Sequence, residues 1–320
     1  MNESLWLERL LEKRAALLRS IRNFFDSRGF LEVETPLLCR EVVVDRHLDP
    51  YPVTMEFKGE SDSQLVYYLQ TSPEYGMKRL LSRCPRSFYQ ITRAFRRFET
   101  GTQHNTEFTI VEWYEVGADY EKGMQTTADL AEAILGRGQA ERLSYREALM
   151  RYAGVDPWTV SVSELRERAI DMLQDCSLNL SDRDAWLELL LTMCVQKHLG
   201  TERPTILYDY PASQAALAQV RPGNPPVAER FELYVDGWEL ANGYHELRDA
   251  EELLRRMQQN NEARIARGAH PLPIPMRLVE AQRGHFPACV GVALGFDRLV
   301  AVALGIPSVQ KAMVFPIDEA

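Results

Sequence analysis

The chain has 320 residues, enough for one large core or two modest ones, and its 45% hydrophobic and 26% charged content excludes a disordered tail or linker. A net charge of −9 argues against a broad basic surface for nucleic acid and suits a basic partner. Five scattered cysteines (Cys39, Cys84, Cys176, Cys194, Cys289), never spaced as CxxC, suggest neither a disulfide framework nor a zinc site, and with no apolar run near the ~18 residues of a membrane span they predict a cytoplasmic protein.

Leucines and phenylalanines recur at helical spacing from Leu5 to Ser27, which predicts an amphipathic helix ended by Gly29. Leu65 to Leu69 reads as a strand that delivers Thr71-Ser72-Pro73-Glu74 to a helical run, Tyr75 to Ser82. Glu74 then sits where a carboxylate is stabilised by the helix dipole, which is a sufficient structural reason for it. Aromatic and β-branched residues predict two strands around Phe88–Ile91 and Phe108–Trp113. Their connection, Arg93 to Thr106, holds Arg93, Arg96, Arg97, Glu99, Gly101, His104 and Asn105, a density of donors suited to an anion, although a solvated loop would look similar. Glu112 and Tyr114 are two apart and share a strand face, where a carboxylate beside a phenol suits an ammonium group.

Helical patterns follow at Gly123–Leu135, Ser144–Tyr152, Ser163–Leu173 and Asp182–Leu199, and residues 119–200 read as a mostly helical insertion within a single domain. A strand at Thr205–Tyr208 and a short helix after Pro211 lead to the run Arg230–Leu247, where Asp236-Gly237 signals a two-residue hairpin. That turn opposes Tyr234 to Glu239 and puts Glu232 and Glu239 on one face, a pair suited to Mg²⁺ or, more plainly, to water. Glu246 joins that face if a bulge at Asn242-Gly243 resets the alternation. Glu251–Arg267 is a charged helix, and Gly291–Leu299 reads as a buried strand, a glycine and a helix start.

The Phe-Arg core at Arg96, followed by His104-Asn105-x-Glu107-Phe108, resembles motif 2 of class II aminoacyl-tRNA synthetases in the version found in lysyl-tRNA synthetases and their shortened relatives, which include the elongation factor P (R)-β-lysine ligases. Gly29–Leu38 with Pro36 resembles motif 1, and Gly295-x-Asp297-Arg298 resembles motif 3. The resemblance implies an α+β fold with a mixed, mainly antiparallel sheet flanked by helices, a homodimer, and no anticodon-reading barrel before motif 1. It implies ATP contacts at Arg96, Arg97, Phe98, His104, Asn105, Phe108, Glu239, Leu240, Gly295 and Arg298, with Arg96 and Arg298 as the catalytic cations. It places the amino-acid substrate at Ser72, Pro73, Glu74, Glu112, Tyr114, Glu246 and Ala293, and Mg²⁺ at Glu232 and Glu239.

Two positions refine these expectations. The family usually reads Arg-Asn-Glu where this chain has Arg96-Arg97-Phe98, so one carboxylate is missing near adenine. Synthetases for α-lysine usually carry Gly at the position of Ala293, whereas the β-lysine ligases resemble this chain. The implied reaction is ATP-dependent activation of (R)-β-lysine and its transfer to a lysine of elongation factor P, without stable tRNA binding and away from membranes. A lysine-activating enzyme serving tRNA and a non-catalytic amino-acid-binding regulator remain alternatives.

Overall fold

The computed structural model describes residues 3–55, 65–174, 180 and 182–320, so Cys176 lies outside the described residues. In chain order they form α1 (Glu3–Asp26), the short strands β1 (Leu31–Glu32), β2 (Leu38–Cys39) and β3 (Pro52–Met55), then β4 (Leu65–Leu69) and α2 (Glu74–Arg83). The hairpin β5 (Phe88–Phe95) and β6 (Glu107–Val116) follows, then α3 (Tyr120–Leu135), β7 (Glu141–Ser144), α4 (Tyr145–Ala148), α5 (Val162–Leu173) and α6 (Arg183–Leu190). Strands β8 (Thr205–Pro211), β9 (Val220–Arg221), β10 (Val227–Val235) and β11 (Trp238–His245) precede α7 (Ala250–Ala266), α8 (Met276–His285), β12 (Cys289–Gly295) and α9 (Phe296–Leu304). Among the described residues no helix is long and apolar enough to cross a membrane.

The chain divides into two compact units, one of residues 1–117, 247–289 and 293–320, the other of residues 118–246 and 290–292. In the first unit β5 pairs in parallel with β1 and antiparallel with β6, from Phe88 opposite Tyr114 to Phe95 opposite Glu107. A separate antiparallel sheet runs β2-β4-β3. Helix α1 buries Leu10, Leu17, Ile21, Phe24 and Phe25, the helical stripe expected of it. Phe25 stacks on Tyr89 with ring centroids 4.8 Å apart and tilts against Trp113 at 5.1 Å, so the first helix anchors both strands of the hairpin. Gly29, at φ 78°, turns the chain out of that helix in a conformation that suits glycine.

In the second unit β8 pairs in parallel with β7 and antiparallel with β10, and β10 pairs antiparallel with β11. Its core is built from the helical stretch and the strands together, including Leu143, Tyr145, Trp186, Leu190, Leu207, Tyr210 and Tyr234. Two helical runs that the pattern shows as continuous change winding: α4 passes into a π-helical turn at Leu149–Ala153, and α6 into one at Leu191–Val195. Strand β7 and helix α8 were not expected from sequence. Asp236 and Gly237 both take positive φ, 51° and 75°, as a type I′ turn requires.

Candidate active site

Strand β5 runs further than its pattern suggests, so Arg93 lies on the strand opposite Thr109 and the connection is residues 96–106. That loop is held from several sides: Arg97 N–H donates to Asp49 O at 2.8 Å, Val309 N–H to Thr102 O at 2.8 Å, and Gln310 Nε2 to His104 O at 3.1 Å. The Arg96 guanidinium donates to Thr71 O at 3.3 Å, lies 3.6 Å from Glu99 and sits 5.0 Å from the Phe108 ring centroid. Asn105 is buried, its Nδ2 donating to Glu107 O and its Oδ1 accepting from Ile317 N–H.

Arg298, in the first turn of α9, brings a second guanidinium to this loop. Its Nη2 lies 2.6 Å from His104 Nε2 and its Nε donates to Gln103 O at 3.2 Å. Burial, and then the positive charge of Arg298, hold the His104 pKa below its usual value, so the neutral ring accepts from the guanidinium. Asp297 fixes the start of the helix, accepting from Thr109 N–H at 2.6 Å and from Arg14 Nη1 at 2.7 Å. A Cβ added at Gly295 would meet only the Arg298 side chain, at 3.5 Å or more, so within the protein itself space is left at that glycine.

Phe98 is 72% exposed at φ 68°, a strained conformation for a bulky residue, and Arg97 lies 4.4 Å from its ring centroid. The carboxylate next to it, Glu99, is the one that pairs with Arg96.

The same unit carries a buried acidic cluster. Glu112 is buried, accepting from Ser72 Oγ at 2.6 Å and from Tyr114 O–H at 2.7 Å. Burial, reinforced by the negative charge of Glu74, pushes its pKa up to about 8. Glu74 opens α2, its N–H donating to Ser72 Oγ at 3.1 Å, and its carboxylate accepts from Lys78 Nζ at 2.6 Å. Pro73 stands just before the helix, where the lack of an N–H costs nothing. Ala293, near the end of β12, is half-buried.

The second unit carries the other carboxylates. Tyr234 opposes Glu239 and Val235 opposes Trp238 as the two-residue turn demands, but Leu233 then opposes Ala241, so Leu240 is the extra residue of a bulge. The bulge lies two residues before the Asn242-Gly243 site expected for it. It resets the alternation: Glu232 opposes Asn242, and Glu239, Asn242 and Tyr244 share one face by strand parity, with Glu246 just past the end of the strand. Gly243 answers to packing instead, since a Cβ there would lie 2.3 Å from the Phe231 ring.

Glu232 is buried and its charge is already compensated. Its Oε1 accepts from Arg230 Nη2 at 2.5 Å, and its Oε2 from the hydroxyls of Tyr210 at 2.5 Å and Tyr234 at 2.6 Å. Glu239 is half-buried, whereas Leu240 and Glu246 are buried. Asn242 Oδ1 is buried without a hydrogen-bond partner among the described residues. A leftover acceptor opposite Glu232 and on the same strand face as Glu239 suits a hard cation or a substrate N–H.

A family model described as tRNA synthetases class II (D, K and N) matches residues 4–319. The chain belongs to this family. An elongation factor P (R)-β-lysine ligase of Yersinia enterocolitica is 44% identical over 311 residues, 97% of this chain and 95% of that protein. Proteins of the same description from Salmonella typhi and Salmonella dublin are each 46% identical over 312 residues, with the same coverage.

Membership accounts for the α+β architecture seen here, and the first unit collects the residues predicted for motifs 2 and 3 around one loop. It also brings Ser72, Glu74, Glu112 and Tyr114 to one strand-helix junction. Glu232, Glu239 and Glu246 lie in the second unit. Sequence reading missed three residues that hold these groups. Lys78 was visible only as an i,i+4 partner of Glu74, Asn242 only once the bulge is known, and Gln310 reaches the loop from more than 200 positions away.

Proposed function

We propose that this ligase activates (R)-β-lysine with ATP and transfers it to a lysine of elongation factor P. The observation that carries the reading is the buried Glu112–Tyr114–Ser72 cluster, whose carboxylate suits an ammonium group, in the same unit as the Arg96 and Arg298 guanidiniums. The relatives that share nearly the whole chain are named for this reaction. In the first step a carboxylate oxygen of the amino acid attacks the α-phosphorus of ATP, and the bond to pyrophosphate breaks. In the second, the ε-amine of the acceptor attacks the acyl carbon, an amide forms, AMP leaves and the amine loses a proton to solvent. Arg96 and Arg298 stabilise charge on the phosphates, and Glu112 and Glu74 orient an ammonium group, so catalysis is electrostatics and proximity. Mass spectrometry of elongation factor P after incubation with ATP and (R)-β-lysine tests it. One added β-lysyl group is expected; an unmodified protein beside charged tRNA would replace this reading with the tRNA-serving one.

Mg²⁺ would be held by Glu239 with Glu232, and when bound it supplies positive charge to phosphate oxygens. Because Arg230 already compensates Glu232, the half-buried Glu239 is the more sensitive position. Glu239→Gln is expected to raise the Mg²⁺ concentration needed for half-maximal pyrophosphate exchange, and an unchanged titration would remove Glu239 from a metal site.

Ala293 is proposed to line the amino-acid pocket, where its methyl obstructs an α-amino group more than a β-amino group. Ala293→Gly is expected to improve kcat/KM for α-lysine relative to β-lysine by roughly 10- to 200-fold, the range for one methylene in a pocket. An unaltered ratio would place Ala293 outside the pocket. The homodimer is also proposed, supported by Leu7 and Leu11, one turn apart on α1 and both exposed, as are Leu31 and Leu37 in motif 1.

A further inference from the structure

Helix α2 begins at Glu74, so Lys78 stands one turn further on the same face. Pairs of this spacing ordinarily lie in solvent, where they contribute little. This one faces inward: the Lys78 side chain is 4% exposed and that of Glu74 13%, with Nζ 2.6 Å from Oε1. Lysine is almost never buried unless paired, and an ammonium beside a substrate-ammonium pocket repels the ligand that the pocket is built for. Its presence there calls for a role.

We infer that Lys78 is a positioning and specificity-determining residue of the amine pocket, holding the Glu74 carboxylate and reducing the pocket to the one negative charge that a single substrate ammonium matches. The inference rests on the proposal above that Glu74 and Glu112 receive that ammonium. Among the described residues Glu74 and Lys78 are the charged groups that act on Glu112, and with both carboxylates ionised Lys78 offsets one of their two negative charges. Removing it leaves two carboxylates facing each other, which favours a neutral acid at Glu112. The groups that act on Glu112 are Glu74 and Lys78 from α2, the Ser72 hydroxyl before that helix and Tyr114 on β6, while its cross-strand partner Gln90 is uncharged. Lys78 holds the pKa of Glu112 down against burial and Glu74, so its loss moves that value up.

The test is a double-mutant cycle of Lys78→Met and Glu74→Gln, read as KM for (R)-β-lysine and for ATP in pyrophosphate exchange across pH. At pH 7, Lys78→Met is expected to raise the amino-acid KM by about tenfold or more, the scale of a hydrogen bond to a charged group, with little change in the KM for ATP. The acid limb of kcat/KM for the amino acid should move to higher pH, so activity recovers in alkali, which loss of packing would not produce. Lys78→Arg, which keeps the charge, is expected to leave the limb in place. The double variant should be no worse than Glu74→Gln alone, and because it removes both buried charges together it also serves if the single variant does not fold. An unmoved limb, an equal rise in the KM for ATP, or additive effects of the two substitutions would overturn the role of Lys78. If Glu74→Gln itself leaves the amino-acid KM unchanged, the pocket assignment of Glu74 fails instead.

Discussion

Arg298→Ala is expected to lower ATP–pyrophosphate exchange by about 10²–10³-fold, the usual effect of removing one preorganised donor from developing charge, and Arg96→Ala by at least as much. Neither guanidinium is a core element. Arg96 makes a 3.3 Å bond to Thr71 O and a 3.6 Å ion pair with Glu99, and Arg298 reaches the loop at Gln103 and His104. The fold of the first unit instead rests on the α1 stripe, the Phe25–Tyr89–Trp113 cluster and the doubly bonded Asp297. Thermal melting and sedimentation of both variants should therefore match the unmodified protein while exchange is lost. For Arg298 a second effect is expected: without its charge, the His104 pKa should rise toward its usual value, since Arg298 is the leading charge holding it down after burial. NMR titration of His104 checks this independently of activity. Near-normal exchange in either variant would end the motif assignment, and a melting loss of several degrees would mean that the arginine is structural.

How far the sequence reveals this depends on whether the signal is local. The Asp236-Gly237 turn, the strand Leu65–Leu69 and the helix behind Asp249 were legible because a dihedral requirement or a periodic stripe fixes each within a few residues. The bulge at Leu240 was half legible. A parity break between Glu239 and Glu246 could be anticipated, but the glycine that suggested its place is there to clear the Phe231 ring. Pairing of β7 with β8 is a contact across 64 positions, and four residues of mixed polarity carry no sign of it. The chemistry divides in the same way. Arg96, His104 and Asn105 stand close in sequence and read as an anion loop, whereas the compensation of Glu232 by Arg230, Tyr210 and Tyr234 comes from two strands and shows only in three dimensions. Sequence alone paired Glu232 with Glu239 through a cation; the structure shows that an arginine two residues away already meets part of that need.

Glu112→Gln has the most specific expected signature. The substitution keeps the shape of the side chain and most of its contacts with Ser72 and Tyr114, so the protein should fold and melt normally or with added stability, a buried acid having been replaced by a neutral amide. What is lost is the charge. In the free enzyme Glu112 loses its proton around pH 8, because burial and Glu74 oppose ionisation. A protonated carboxyl cannot pair with an ammonium, so kcat/KM for (R)-β-lysine should rise with pH through that region and level off above it. With saturating amino acid, kcat/KM for ATP should lack this limb, since the ammonium is by then seated and holds the carboxylate ionised. Glu112→Gln should abolish the limb altogether and lower the plateau by about 30- to several-thousand-fold, the 2–5 kcal/mol typical of removing one partner from a buried, hydrogen-bonded charge pair. The loss should fall mainly on the amino-acid KM. A limb that survives in the Gln variant would belong to another group, and a plateau within a few-fold of the unmodified protein would mean that the substrate ammonium binds elsewhere.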